Sequence, residues 1–196
     1  MEISQSLKFT EWVKQSFPPM VGDEPAVLIL GSLPGEESLR RQEYYGKPQN
    51  RFWPLMARLT GSPLPQTYAD KRAMLAAHRI ALWDVVREAQ RKGSADTDIR
   101  HAVPNDIPGL LRRYPTIRTV VFNGKAAANL FKKHFGVKPV ENPADGLPQE
   151  ASADAVRLGL PAARRIRFIV RLSTSPANCQ FSEEAMYENW REVIER

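Results

Sequence analysis

The sequence of 196 residues holds one cysteine, Cys179, and three histidines, His78, His101 and His134. A single thiol excludes an internal disulfide, and it excludes an iron–sulfur cluster, which needs about four thiolates. The histidines lack the spacing of a metal-ligand set, so neither a metal nor another cofactor is expected. Long hydrophobic runs are missing too: nothing approaches the roughly 18 consecutive apolar residues of a membrane helix, and no membrane partner is expected. The opening MEISQSLKFTEW has neither the basic start nor the apolar centre of a signal peptide, which makes a cytoplasmic location the expectation. There is no GxxxxGK[ST] phosphate loop, which counts against the common nucleotide-phosphate enzymes.

What is present describes a globular chain. Apolar residues make up 42% and charged residues 26%, a balance that supports one domain over 1–196 with a substantial core. The net charge of +6 favours polyanionic partners modestly.

Periodicity and punctuation predict the elements. Apolar spacing predicts a helix over Ser4 to Phe17, stopped by Pro18 and Pro19. Continuous apolar runs predict buried strands over Pro25 to Ser32 and Arg79 to Val86, a third strand follows over Arg118 to Gly124, and the alternation of Ile166, Phe168, Ile169–Val170 and Leu172 predicts a fourth over Arg165 to Ser173. Helices are predicted over Phe52 to Leu59, Ala69 to His78, and from an Asp106 cap through Tyr114. Two more run from Gly124 to a stop at Gly136, and from a Ser182 cap to Arg196. RKGSADTDIRHAVPND reads as a loop, and Lys138 to Arg165 as a long excursion with a short helix or hairpin. Strands separated by helices imply an α/β fold, a parallel sheet with helices on both faces. In such sheets ligands bind beyond the carboxyl ends of the strands.

The loops at those ends are therefore the informative ones. GSLPG (31–35) permits tight turning and close backbone approach, although such turns also merely connect elements. In YYGKPQN, Tyr44 and Tyr45 offer rings that either pack in the core or stack on a planar base. Asn50 either caps the following helix or presents its amide to a crevice. Asn123 has the same choice: a cap before Gly124, or an amide matched to the donor–acceptor edge of a nucleobase. Ser173, Thr174 and Ser175 either form a turn or grip a phosphate. Basic side chains crowd the first loop, Arg40, Arg41, Lys47 and Arg51. Together these groups describe a pocket for a flipped nucleotide.

The constellation GSLPG, SLRRQEYYGKPQNRFW, LWDVV, GSADTDI with PND, VVFNG and STSPAN resembles the uracil-DNA glycosylase superfamily, and within it the hypoxanthine-DNA glycosylase family. The resemblance runs from Gly31 to Asn178 in order. It implies a three-layer sandwich with a central four-stranded parallel sheet flanked by helices. It implies a monofunctional DNA glycosylase that acts as a monomer, with DNA containing deaminated bases as its partner. By motif, Tyr45 stacks on the extruded base, backbone at Ser32 and Leu33 contacts it, and Asn123 reads its edge. Asn50 carries the chemically important amide. Apart from the resemblance, Asp84 at the end of the second strand is a secondary catalytic candidate that would assist Asn50. Lys47, Ser173, Thr174, Ser175 and Asn178 contact the DNA. Leu33 stands where the best-known branch has aspartate, Ser173 where that branch has histidine, and Lys47 where the hypoxanthine family has histidine. These departures leave the preferred base open. The competing readings are a binder of damaged DNA without catalysis and a nucleotide or phosphate-ester enzyme.

Overall fold

A computed structural model describes residues 12–141 and 151–194. In chain order the described elements are β1 (Val13–Gln15), β2 (Val27–Gly31), α1 (Glu36–Arg41), α2 (Phe52–Thr60), α3 (Tyr68–Ala77), β3 (Ile80–Asp84), β4 (Val86–Gln90), β5 (Arg100–Pro104), α4 (Ile107–Arg113), β6 (Thr119–Asn123), α5 (Lys125–Phe135), α6 (Ala151–Arg157), β7 (Arg167–Arg171) and α7 (Glu183–Ile194). The main sheet is four-stranded and parallel, in the order β3-β2-β6-β7.

Its strands are apolar at their centres because both faces are covered, and their polar residues, such as Asp84, Asn123, Arg167 and Arg171, stand at the ends. Leu28, Leu30, Val120, Phe122, Phe168 and Val170 point into one core, together with Ile107 and Leu111 of α4 and Phe131 of α5. The alternate residues Ile29, Leu82, Val121 and Ile169 point into the other, against Phe52 and Met56 of α2, Leu75 of α3 and Trp190 of α7. Each such side chain, fully buried, stabilises the fold by about 1.5–3 kcal/mol relative to exposure. The result is the three-layer α/β sandwich that the sequence predicts.

The helix ends follow local chemistry. Thr67 and Asp70 form a reciprocal capping box at α3, and the Asp106 carboxylate accepts from Gly109 N at α4. Gly136 ends α5 at φ +71°, where a side chain would be strained.

Three expectations are corrected. Val13–Gln15 is a strand, not the end of a helix; the earlier part of the expected Ser4 to Phe17 helix lies outside the described residues. The apolar run at Arg79 to Val86 is two strands, since the chain leaves the main sheet after Asp84 and enters a second sheet at Val86. The stretch expected as a loop after Arg91 contains β5. β1, β4 and β5 form an antiparallel sheet, β1-β4-β5. Its strands are short and carry exposed Arg87 and Arg100, so neither a long apolar run nor a clean alternation marks them. In the expected excursion α6 is present and Val140 bridges to Ile169; 142–150 lies outside the described residues, as do the last two residues of the expected final helix.

This topology places the site. The chain runs outward from β2 to β3, then returns to lay β6 on the other side of β2. Loops leaving β2 and β6 therefore diverge, and a crevice opens at the carboxyl ends between them.

Candidate active site

A cavity of about 350 Å³ occupies that crevice. Its walls come from the loop after β2 (Ser32, Leu33), the loop before α2 (Tyr45, Lys47, Asn50), Asp84 at the end of β3, Asn123 at the end of β6, and Ser173 and Ser175 after β7. Thr174 and Asn178, expected beside them, do not line it.

The loop after β2 is held by its carbonyl groups. Gly31 O accepts from Val85 N at 2.8 Å and Ser32 O from Val86 N at 3.0 Å. Leu33 O accepts from Arg91 Nη1 at 3.2 Å, and Pro34 O accepts from Arg91 Nη2. Arg91 is 1% exposed, so its guanidinium is a buried brace. The Ser32 and Leu33 N–H groups have no acceptor among the described residues, which leaves backbone donors for a guest. The Leu33 side chain belongs to the apolar core, so its contribution to the cavity is backbone. At Gly31 a Cβ would stand 2.6 Å from Asp84 Oδ1 and 3.1 Å from the Tyr45 hydroxyl. Glycine is required there because the β2 backbone closes directly on both groups.

Tyr45 sits at φ +52°, a left-handed conformation that is an outlier for a bulky residue. Two contacts fix it there. One ring face stacks on Phe52, centroids 4.0 Å apart and planes 20° from parallel. Its hydroxyl accepts from Asn123 Nδ2 at 2.9 Å. Burial raises the phenol's pKa far above its ordinary value, so it stays neutral. Tyr44 is instead a core residue, its hydroxyl donating to Phe17 O at 3.0 Å.

Asn123 is not a helix cap; Gly124 occupies that position with no side-chain cap bond. Its Nδ2 donates to Tyr45 and to Thr174 Oγ1, and its Oδ1 accepts from Thr174 N, each at 2.9 Å. Thr174 is fully buried behind it and acts on the loop from inside. Asn178 Nδ2 donates to Ser173 O at 2.9 Å, closing the same turn. Asn50 Oδ1 accepts from Phe52 N at 3.0 Å, an Asx turn that opens α2. Its Nδ2 has no partner among the described residues. Lys47 is exposed at the rim.

Asp84 is 4% exposed and accepts from Ser16 Oγ at 2.8 Å. Burial is the main influence on it and lifts its pKa to about 7, against smaller lowering effects from the Ser16 hydrogen bond and the Arg91 charge. A carboxyl near neutrality at a cavity wall can exchange protons.

Sequence reasoning missed Arg91, Asp96 and Ser16. Asp96 Oδ1 accepts from Ser32 Oγ at 2.6 Å and lies 3.7 Å from Arg91 Nη1. Arg91 and Asp96 flank the GSADTDI motif's glycine, but only the β4–β5 hairpin brings them over the first loop. Arg51 also went unassigned; its guanidinium donates to Phe181 O at 2.6 Å and Asn178 O at 2.8 Å, tying the Asn50 segment to the loop after β7.

The model of the Uracil DNA glycosylase superfamily matches residues 18–194. The chain belongs to this superfamily. Two relatives carry the name hypoxanthine DNA glycosylase. The one from Methanosarcina acetivorans is 41% identical over 116 residues, 59% of this chain and 73% of the relative. The one from Methanosarcina barkeri is 40% identical over 113 residues, 57% of this chain and 72% of the relative. A solution NMR structure of a Methanosarcina acetivorans protein, described as a candidate uracil DNA glycosylase, superposes with a TM-score of 0.68 at 31% identity. That superposition covers 93% of this chain and 96% of the other. Within this superfamily member no three His, Cys, Asp or Glu side chains among the described residues group to hold a metal, and no described helix is long and apolar enough to cross a membrane.

Proposed function

We propose that this chain is a DNA N-glycosylase that turns a deaminated base, hypoxanthine or uracil, out of DNA and hydrolyses its glycosidic bond. The relatives named hypoxanthine DNA glycosylase favour hypoxanthine as the first substrate to try. The observation that carries the reading is the convergence of Tyr45, Asn50, Asp84 and unpaired loop N–H groups on one cavity at the strand ends.

Extruding a base costs a few kcal/mol, least at a mispair. Stacking on Tyr45 returns about 1–3 kcal/mol. As the C1′–N bond breaks, its electron pair leaves with the base. The Ser32 and Leu33 N–H groups stabilise the charge that develops there. Asn50 Nδ2 holds the water, whose oxygen bonds to C1′. Asp84 accepts the proton that the water gives up and passes it on to the departing base. Its position replaces the water-activating group that Leu33 cannot supply.

Lys47, Ser173 and Ser175 contact the backbone of the extruded strand, while Thr174 and Asn178 hold the loop that carries the two serines. Thr174 thus positions Asn123, and Asn123 positions Tyr45, with one Oδ1 lone pair left for the base. The protein acts as a monomer and as one domain, with DNA as its partner. Asp84 in the cavity favours catalysis over damage binding alone.

The test is a cleavage assay in EDTA on duplexes with one hypoxanthine, uracil or xanthine. Alkali-labile sites at the lesion support the reading; retardation of the duplex without such sites contradicts it.

A further inference from the structure

Asp96 has no part in the chemistry above, yet it lines the cavity. Glu37 and Ser94 line it as well, but both are engaged: Glu37 with Arg40 and Arg41, Ser94 by accepting from Glu36 N at 3.0 Å. Asp96 is different. Its Oδ1 takes the Ser32 hydroxyl and faces Arg91, while Oδ2 has no partner among the described residues. Its side chain remains 41% exposed.

The carbonyls of Gly31, Ser32, Leu33 and Pro34 are all occupied by Val85, Val86 and Arg91. This corner of the cavity therefore offers backbone donors beside a carboxylate, which can only accept. Its complement is a planar edge with a C=O next to a ring N–H. That lactam edge is shared by hypoxanthine, uracil and xanthine. Adenine and cytosine invert it, presenting an amino donor next to a ring nitrogen that accepts. They would set a lone pair against the carboxylate and an NH2 against the loop N–H groups.

Asn123 can give a base no donor, since both its amide hydrogens are engaged by Tyr45 and Thr174, so the donors of this corner are the loop N–H groups beside Asp96. We propose that Asp96 is a specificity-determining residue: its carboxylate, held by Ser32 and Arg91, accepts the ring N–H of a lactam base whose C=O is bound by the Ser32 and Leu33 N–H groups. The inference rests on the proposed function and names the substrate edge that the same cavity selects.

The experiment measures Kd for duplexes carrying a non-hydrolysable 2′-fluoroarabino nucleotide, with either hypoxanthine or unsubstituted purine as base. Purine has a ring nitrogen that accepts and no C=O. The wild type should prefer hypoxanthine. In Asp96→Asn the amide can turn a donor toward the purine nitrogen, and the preference should fall by about tenfold or more, the size of one lost hydrogen bond to a charged group. Asp96→Ala should also lose preference, and Asp98→Asn, in the same 3-10 turn but outside the cavity, should keep it. An unchanged ratio in both Asp96 variants, or an equal loss for the two bases, overturns the proposal. Failure of the wild type to release any base would count against the glycosylase reading instead, and the Kd ratio would still judge Asp96.

Discussion

Asn123 donates a hydrogen bond of 2.9 Å to the hydroxyl of Tyr45, 78 residues earlier in the chain. The bond joins the loop before α2 to the end of β6 and holds a tyrosine in a backbone conformation it would not otherwise adopt. A ring pinned in this way is ordered before a base arrives, so stacking does not have to immobilise it first.

Removing the ring and removing its hydroxyl should therefore differ. Tyr45→Ala is expected to lower single-turnover excision by about 10²-fold, through lost stacking of 1–3 kcal/mol and a loosened cavity wall. Tyr45→Phe keeps the Phe52 stack and should lose less than about tenfold, the worth of one neutral hydrogen bond. Equal losses in the two variants would show that the ring itself is not used. Rapid-quench kinetics on a hypoxanthine duplex decides.

Asn50 combines a structural and a chemical task that two substitutions separate. Asn50→Ala loses the bond to Phe52 N and should cost about 1 kcal/mol of stability. Excision should fall about 10²–10³-fold while duplex binding persists. Asn50→Ser restores an oxygen for Phe52 N, so its thermal stability should recover and its excision should not. Near-normal cleavage by either variant would contradict the role given to the amide.

The Asp84 carboxyl makes a prediction about pH. Its pKa is raised from 3.8 in the unfolded reference to about 7 in the fold, so the protonated form is favoured on folding. The associated stability is complete below the lower value and is lost as pH rises through the higher one. Asp84→Asn removes that dependence. Its stability relative to wild type should rise between pH 4 and pH 8 by a few kcal/mol, at about 1.4 kcal/mol per pKa unit. Excision by the wild type should increase toward alkaline pH with a midpoint near 7, and Asp84→Asn should be slow and flat. Urea melts and rate profiles over that range provide the check. A wild-type profile without the inflection would remove Asp84 from the chemistry.

The main sheet was legible because strands covered on both faces are continuous apolar runs, and Val27–Gly31 and Thr119–Asn123 announce themselves. The cavity's position was legible too, since it follows from the parallel topology. The small antiparallel sheet was not: β1 is three residues long, and β5 exposes Arg100 and His101. Arg91 and Asp96 stayed hidden for the same reason, because a charged residue in a polar stretch looks solvated until the hairpin folds it over the loop after β2. Asn50 was ambiguous between cap and amide, and the structure gives its Oδ1 to the first task and leaves its Nδ2 for the second.

The most direct measurement is a crystal structure of the protein on duplex DNA that carries 2′-fluoroarabino hypoxanthine. The account predicts the base outside the helix, in the cavity between Ser32 and Ser173, with its ring on Tyr45 and the C1′ atom within reach of Asn50. A base left stacked in the duplex, or one extruded to any other surface of the protein, would contradict it.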